Sequence, residues 1–212
     1  GNIEYFYKEL KESLNFSRSY EIIFVDDGSR DSSFMILSRI ASEDKNVRVV
    51  KLRGNYGQTI AIRAGLDISK GEKIITMDGD GQHNPKYILD FYKKLDVYDV
   101  VCNYRKNRQR TSTHIGNFLI RTLFKFPYKD SIGGIKGFKR QVKDEVYLYG
   151  NMHRYLPLLA RWKGFRIGQQ EIILRNRLSG QSHYRPMKAV KGFLDLLTVK
   201  FFVSYSTRPS HI

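Results

Sequence analysis

The chain has 212 residues, 41% of them hydrophobic and 13% aromatic, and carries 37 Lys and Arg against 21 Asp and Glu for a formal net charge of +16. That length supports one domain with a real core, and the charge calls for an anionic partner: nucleic acid, a phosphorylated small molecule or acidic lipid. A single Cys102 excludes an internal disulfide and a cysteine-rich zinc site, and no apolar run reaches the about 18 residues of a bilayer-spanning helix.

Residues 2–14 read as a helix with Ile3, Phe6, Tyr7 and Leu10 on one face. The apolar run YEIIFVDDGS has strand length and ends in Asp26, Asp27 and Gly28. DSSFMILSRIASED predicts a helix capped by Asp31 or Ser32. VRVVKL predicts a strand and GQTIAIRAGLDIS a helix. KIITMD predicts a third strand, PKYILDFYKKL a helix with Pro85 in its first turn, and YDVVCNYR a fourth strand. Apolar strands alternating with helices indicate a mostly parallel α/β sheet covered on both faces. Sites in such sheets lie beyond the carboxyl ends of strands. Asp26, Asp27, Asp78, Asp80 and Arg105 all fall at or just past such ends.

The second half reads differently. Residues 112–126 form a helical stretch that is apolar over a wide arc, with Ile115, Phe118, Leu119, Leu123 and Phe126 among His114, Arg121 and Lys125. GGIKGFKR follows, then a helix through MHRYLPLLARWKG, and FRIGQQEIILRNR reads as one or two strands. Residues 187–205 carry a stripe of Val190, Phe193, Leu194, Leu197 and Phe201 near Lys188, Lys191 and Lys200, and turn apolar on nearly all sides from Leu196 to Val203. Apolar bulk flanked by bases is the composition of a helix lying at an anionic membrane surface; the same stripes could also pack on the sheet.

The stretch KIITMDGDGQHNP places two carboxylates, Asp78 and Asp80, two residues apart after an apolar strand. They repel unless a cation or proton lies between them. A divalent Mg²⁺ or Mn²⁺ takes one or two carboxylates and leaves positions for phosphate oxygens. Gly79 and Gly81 would let a bulky ligand approach the backbone. A solvated turn gives the same composition. A calcium-binding EF-hand loop does not fit, because His83 stands at its sixth position and Leu89 at its twelfth. A phosphatase with the first aspartate as nucleophile fits poorly, because at least two strand–helix units precede the motif.

The segments EIIFVDDGSRDSS, NYGQTIAIRAGLDISKGEKIITMDGDGQHNP, GIKGFKR, HRYLPLLARWKGFRI and RNRLSGQSHY, in this order, resemble glycosyltransferase family 2. They look most like its branch of dolichol-phosphate mannose synthase-like enzymes, which load sugars onto polyprenyl phosphates. The resemblance implies a GT-A fold, a divalent metal, a nucleotide-diphosphate sugar donor, a polyprenyl phosphate acceptor and inversion at the anomeric carbon. Asp78, Asp80 and Gln82 match its metal motif, with Asp80 as the catalytic aspartate. Asp27, and less directly Asp26, match its donor-binding turn, and Gly79 lies against the donor. Arg105, Lys136 and Arg177 match basic residues expected to hold the acceptor phosphate, which is already anionic and needs no strong base. His153 and Arg154 match a His-Arg pair without an assigned step. Ser182 lies in the RLSGQS segment, and His83 is either an outer group of the metal site or a cap of the next helix.

Two departures stand out. Family members open on a strand ending in Pro-x-Tyr-Asn-Glu, whereas this chain starts in the following helix; members of the branch often continue into membrane-spanning helices. The chain is therefore expected to be one catalytic domain, with a donor and metal half over 1–105 and an acceptor and membrane half over 106–212, from a longer protein at the cytoplasmic face of a membrane. A homo-oligomer is allowed. The rivals are a family 2 enzyme acting on a polysaccharide, against which Pro157 and Leu158 stand where a processive synthase has the Gln of Gln-x-x-Arg-Trp, and a basic nucleic-acid-binding domain, for which no motif is present.

Overall fold

A computed structural model describes residues 2–16, 19–106, 111–130, 133–148, 150–175 and 187–205, apart from the side chains of 111–116, 187–193, 202 and 205. Helix α1 (Asn2–Ser13) buries Phe6 and Leu10. Strand β1 (Ile22–Asp26) pairs in parallel with β2 (Val47–Lys51), Ile22 opposite Val47 and Asp26 opposite Lys51. Helices α2 (Ser33–Glu43) and α3 (Gln58–Ile68) follow these strands. At α2 the capping oxygen is that of Asp31, which accepts from Ser33 N–H at 3.0 Å; the Ser32 side chain makes no cap bond.

The second sheet runs β3 (Lys73–Thr76), β5 (Lys136–Lys139), β4 (Val100–Arg105), β6 (Ile167–Ile172). Strand β6 is parallel to β4, but β5 runs antiparallel to both β3 and β4. This corrects the expectation for GGIKGFKR, where no strand is legible. Gly137 and the flanking lysines break the apolar pattern, and the reason is packing: a Cβ at Gly137 would come within 3.2 Å of Phe91 and 3.3 Å of Leu95. Both side chains belong to the helical stretch opened by a 3₁₀ turn at Pro85–Tyr87 and continued by α4 (Ile88–Lys94), and both are fully buried.

Val100, Val101 and Cys102 are fully buried as well, as a strand covered on both faces requires. The second half supplies the cover: α5 (Thr111–Phe124), α6 (Arg140–Glu145), a 3₁₀ turn at Met152–Tyr155, α7 (Leu156–Trp162) and α8 (Met187–Tyr205). Ile120, Leu158, Ala160, Leu196 and Val199 join Val100 and Cys102 in the largest cluster. The two sheets are joined through Glu21, whose carboxylate accepts from the N–H groups of Lys70 (2.6 Å) and Gly71 (2.9 Å) at the entry to β3 and pairs with Arg48 of β2.

Two carboxylates, Asp99 partly buried and Asp44 buried, lock neighbouring segments. Asp99 accepts from Lys139 Nζ and from Arg166 N–H, each at 2.9 Å. Burial alone would raise its pKa, but these donors outweigh burial and hold it at about 2. Asp44 is held at about 2 by Tyr7 Oη, Asn46 N–H and Lys11. In both cases the folded pKa lies below the unfolded value, so the unfolded chain binds more protons between them and stability falls as pH drops through that window. The unfolding midpoint in urea should therefore decline from about pH 4 toward pH 2. Asp99→Asn should flatten part of that decline, and a decline unchanged in the variant would remove Asp99 from the account.

Candidate active site

The carboxyl ends of β3 and β4 point to the same edge of the second sheet, and the antiparallel course of β5 brings its first residue toward that edge, with Lys136 opposite both Thr76 and Cys102. At the β1 turn, Gly28 has φ +74° and a Cβ there would lie 2.6 Å from the Gly54 carbonyl carbon, so glycine is required. Asp26 is buried; its Oδ1 accepts from Ser29 N–H at 3.2 Å and its Oδ2 has no hydrogen-bond partner among the described residues. Asp27 accepts from Tyr56 N–H at 2.7 Å and Gly57 N–H at 2.8 Å, so its carboxylate clamps the loop before α3. The two carboxylates thus differ: both oxygens of Asp27 accept from the loop at 54–57, which folds back onto it, whereas Asp26 Oδ2 accepts from none of the described residues.

In the loop after β3, Asp78 Oδ1 accepts from Gln58 Nε2, and Asp78 Oδ2 lies 3.7 Å from His83 Nε2. Asp80 Oδ1 accepts from Gln82 N–H at 3.0 Å. His83 is buried and does not cap the next helix; Asn84 Oδ1 does, accepting from Lys86 N–H at 3.0 Å. A Cβ on Gly79 would meet nothing within 4 Å, whereas one on Gly134 would collide with Asp78 Oδ2 and His83 Nε2. The Gly134 backbone is therefore seated directly on the Asp78–His83 edge.

Lys136 is buried, and its Nζ donates to the Gly133 carbonyl. Burial lowers its pKa to about 8, while the carboxylates of Asp78 and Asp130 pull the other way. Arg105 Nε donates to Asp130 Oδ2 at 2.8 Å, and Asn117 Nδ2 to Asp130 Oδ1 at 3.1 Å, with Asp130 fully buried. Lys136 thus stands between the Asp78 loop and the Arg105–Asp130 pair. His153 lies 2.6 Å from Thr59 Oγ1. Burial, with the charges of Lys136 and Arg154, drives its pKa down to about 3, so the imidazole is neutral. Arg177 and Ser182 lie outside the described residues.

Sequence reasoning missed four contributors. In the sequence Gln58 and Thr59 belong to the helical stretch GQTIAIRAGLDIS and Arg175 to the strand-like FRIGQQEIILRNR, while Asp130 stands in no motif. Arg175 donates its N–H to the Gln82 carbonyl at 2.9 Å and pairs with both Glu9 oxygens at 2.7 and 2.8 Å, fastening the loop after β3 to α1. The only sequence signal was a charge at a strand end, which does not name its partner.

The profile of the family Glycosyl transferase family 2 matches residues 2–147. The chain belongs to glycosyltransferase family 2. This family 2 chain is 32% identical over 209 residues to the dodecaprenyl-phosphate galacturonate synthase of Rhizobium johnstonii, covering 93% of the chain and 62% of that protein. It is 35% identical over 188 residues to the undecaprenyl-phosphate 4-deoxy-4-formamido-L-arabinose transferase of Pseudomonas fluorescens, covering 84% of the chain and 54% of that protein. The chain thus spans less than two thirds of the length of these curated relatives. Among solved structures it resembles glucosyl-3-phosphoglycerate synthase from Mycobacterium tuberculosis with phosphoglyceric acid, at a TM-score of 0.72 and 17% identity over 95% of the chain and 75% of the other. The same enzyme with Mn²⁺, uridine diphosphate and phosphoglyceric acid gives a TM-score of 0.71 at 17% identity over 95% of the chain and 73% of the other. The GT-A fold of glycosyltransferases is the fold of this chain as well.

Proposed function

We propose that the glycosyltransferase to which this chain belongs transfers a sugar from a nucleotide-diphosphate sugar to a polyprenyl phosphate, with inversion and with the help of Mg²⁺ or Mn²⁺, at the cytoplasmic face of a membrane. The names of two relatives at 32% and 35% identity support the acceptor class. The observation that carries the reading is the Asp78-Gly79-Asp80 loop, open at Gly79 and flanked by the buried Lys136.

The residues fit a divalent cation. Asp78 and Asp80 offer hard oxygen donors, each oriented by a hydrogen bond from Gln58 or Gln82. Among the described residues no group of three His, Cys, Asp or Glu could hold a metal, and Mg²⁺ or Mn²⁺ needs no such cage when substrate phosphates complete its shell. Bound there, the ion would neutralise charge on the departing diphosphate. The free oxygen of Asp26 suits a hydroxyl or N–H of the donor's nucleoside. Arg105, pre-oriented by Asp130, and Lys136 supply cations for the acceptor phosphate, with Arg177 as a third.

On α8, Leu194, Leu197 and Phe201 are exposed at helical spacing while Leu196 and Val199 are buried. Phe118 of α5 is also exposed. Lys200 turns back to the Leu123 carbonyl at 3.2 Å instead of facing outward, so the basic flank of this stripe rests on other residues. No helix among the described residues is long and apolar enough to cross a membrane. We read the stripe as a surface for anionic lipid. The protein should co-sediment with vesicles containing phosphatidylglycerol and release as salt rises, since each well-placed base adds about 1 kcal/mol. Leu197→Ser with Phe201→Ser should weaken this while the unfolding midpoint holds; binding equal to the parent would exclude α8.

The reaction itself is tested on the full-length protein with a panel of nucleotide-diphosphate sugars and with undecaprenyl phosphate beside soluble glycans as acceptors. Metal-dependent transfer to the lipid phosphate is expected. Transfer to glycans alone, or undiminished turnover in excess chelator, would overturn the reading.

A further inference from the structure

Three consecutive residues at the start of α3 reach three different parts of the molecule. Gly57 N–H donates to Asp27, Gln58 Nε2 donates to Asp78, and Thr59 Oγ1 bonds His153 Nδ1 at 2.6 Å. Adjacent helical side chains do not share a face. Gln58 accordingly reaches the metal-motif loop while Thr59 is buried against the second half of the chain. The cap residue of this helix is Gly57, which has no side chain to bond the N–H groups of the first turn. The rotation of its first turn is therefore set by tertiary contacts, not by a local cap. One turn on, Arg63 stacks 3.7 Å from the centre of the Tyr147 ring and reaches the Leu148 carbonyl at 3.4 Å. The 3₁₀ turn that carries His153 is held from its far side by Asn151 Nδ2, which donates to Asp195 of α8 at 2.9 Å.

We propose that His153 is a positioning residue for Asp78, acting through Thr59 and the first turn of α3 to hold Gln58 on the Asp78 carboxylate. The proposal rests on the reading of Asp78 as a metal carboxylate. His153 and Thr59 are both buried, so loss of either leaves the other a polar group without its partner. The first turn then keeps the Asp27 clamp at its start but loses the contact that fixes its rotation and so aims Gln58. Lys136, Arg154 and Asp78 are the charged groups that act on the imidazole. Held neutral among them, it closes the bond in either tautomer, with Thr59 Oγ1 donating when Nε2 carries the proton and accepting when Nδ1 does.

The test is binding of Mn²⁺ alone to the full-length protein, followed by the loss of its free-ion electron paramagnetic resonance signal. Thr59→Val and His153→Leu should each weaken Mn²⁺ affinity by about tenfold, the lower end for groups that orient metal ligands. The double variant should be no weaker than the worse single one, because both break one bond. Thr59→Ser, which keeps the hydroxyl, should restore parental affinity. Unchanged Mn²⁺ affinity in Thr59→Val and His153→Leu, with only a lower melting temperature, would overturn the positioning role. If those two variants do not fold, His153→Gln, which fills the site but shifts the acceptor, takes their place with the same expectation and the same overturning result. Asp78→Asn separates the two levels: binding unchanged by it would sink the metal reading itself, whereas binding lost in Asp78→Asn and intact in the others would sink only the role of His153.

Discussion

Asp80→Ala in the full-length enzyme is expected to reduce transfer by about 10³-fold, since metal stabilisation of several kcal/mol converts at about 1.4 kcal/mol per tenfold. The change has two parts that can be separated. Asp80 Oδ1 also accepts from Gln82 N–H, so alanine removes a turn contact as well as a charge. Asp80→Asn keeps an oxygen for that N–H and removes only the charge. Both variants should fold like the parent and lose turnover alike. Recovery of activity in Asp80→Asn would assign the loss to the turn and leave the carboxylate without a role in holding a cation.

The second large effect comes from a residue with no side chain. Gly134→Ala forces a methyl group into Asp78 Oδ2 and His83 Nε2, and neither neighbour is the far end of a long flexible chain. Overpacking of this kind costs about 1–3 kcal/mol, and a shift of about 1 Å in a substrate-holding group can cost roughly 10²-fold in rate. Turnover should therefore drop by about that factor while the sheet persists by circular dichroism. Gly79→Ala is the counterpart, because its methyl meets open space. Its stability should stay within about 0.5 kcal/mol of the parent, and its donor KM should rise if the diphosphate crosses that opening. Parental kinetics in Gly134→Ala would mean that Asp78 tolerates displacement and would weaken its assignment.

The sequence alone determined the alternation of the first half. The strands from β1 to β4 are short, mostly apolar runs, each following segment carries helical periodicity, and the half or full burial of these strands leaves that pattern in the residues themselves. It also determined which carboxylates end those strands, because Asp78 and Asp80 follow KIITM directly and need no partner to be noticed. The motif order carried the family. The sequence left β5 unread, since Gly137 and its lysines look like a loop until Phe91 and Leu95 of the neighbouring helical stretch fill the space. It could not show that the backbone of residues 56 and 57 bonds both oxygens of Asp27. Nor could it join Thr59 to His153 across 94 positions. Periodicity and strand-end chemistry are local and are written in consecutive residues. Which oxygen stays free, which glycine is a close approach and which base is buried beside which acid depend on segments distant in the chain, and only the packed sheet brings those together.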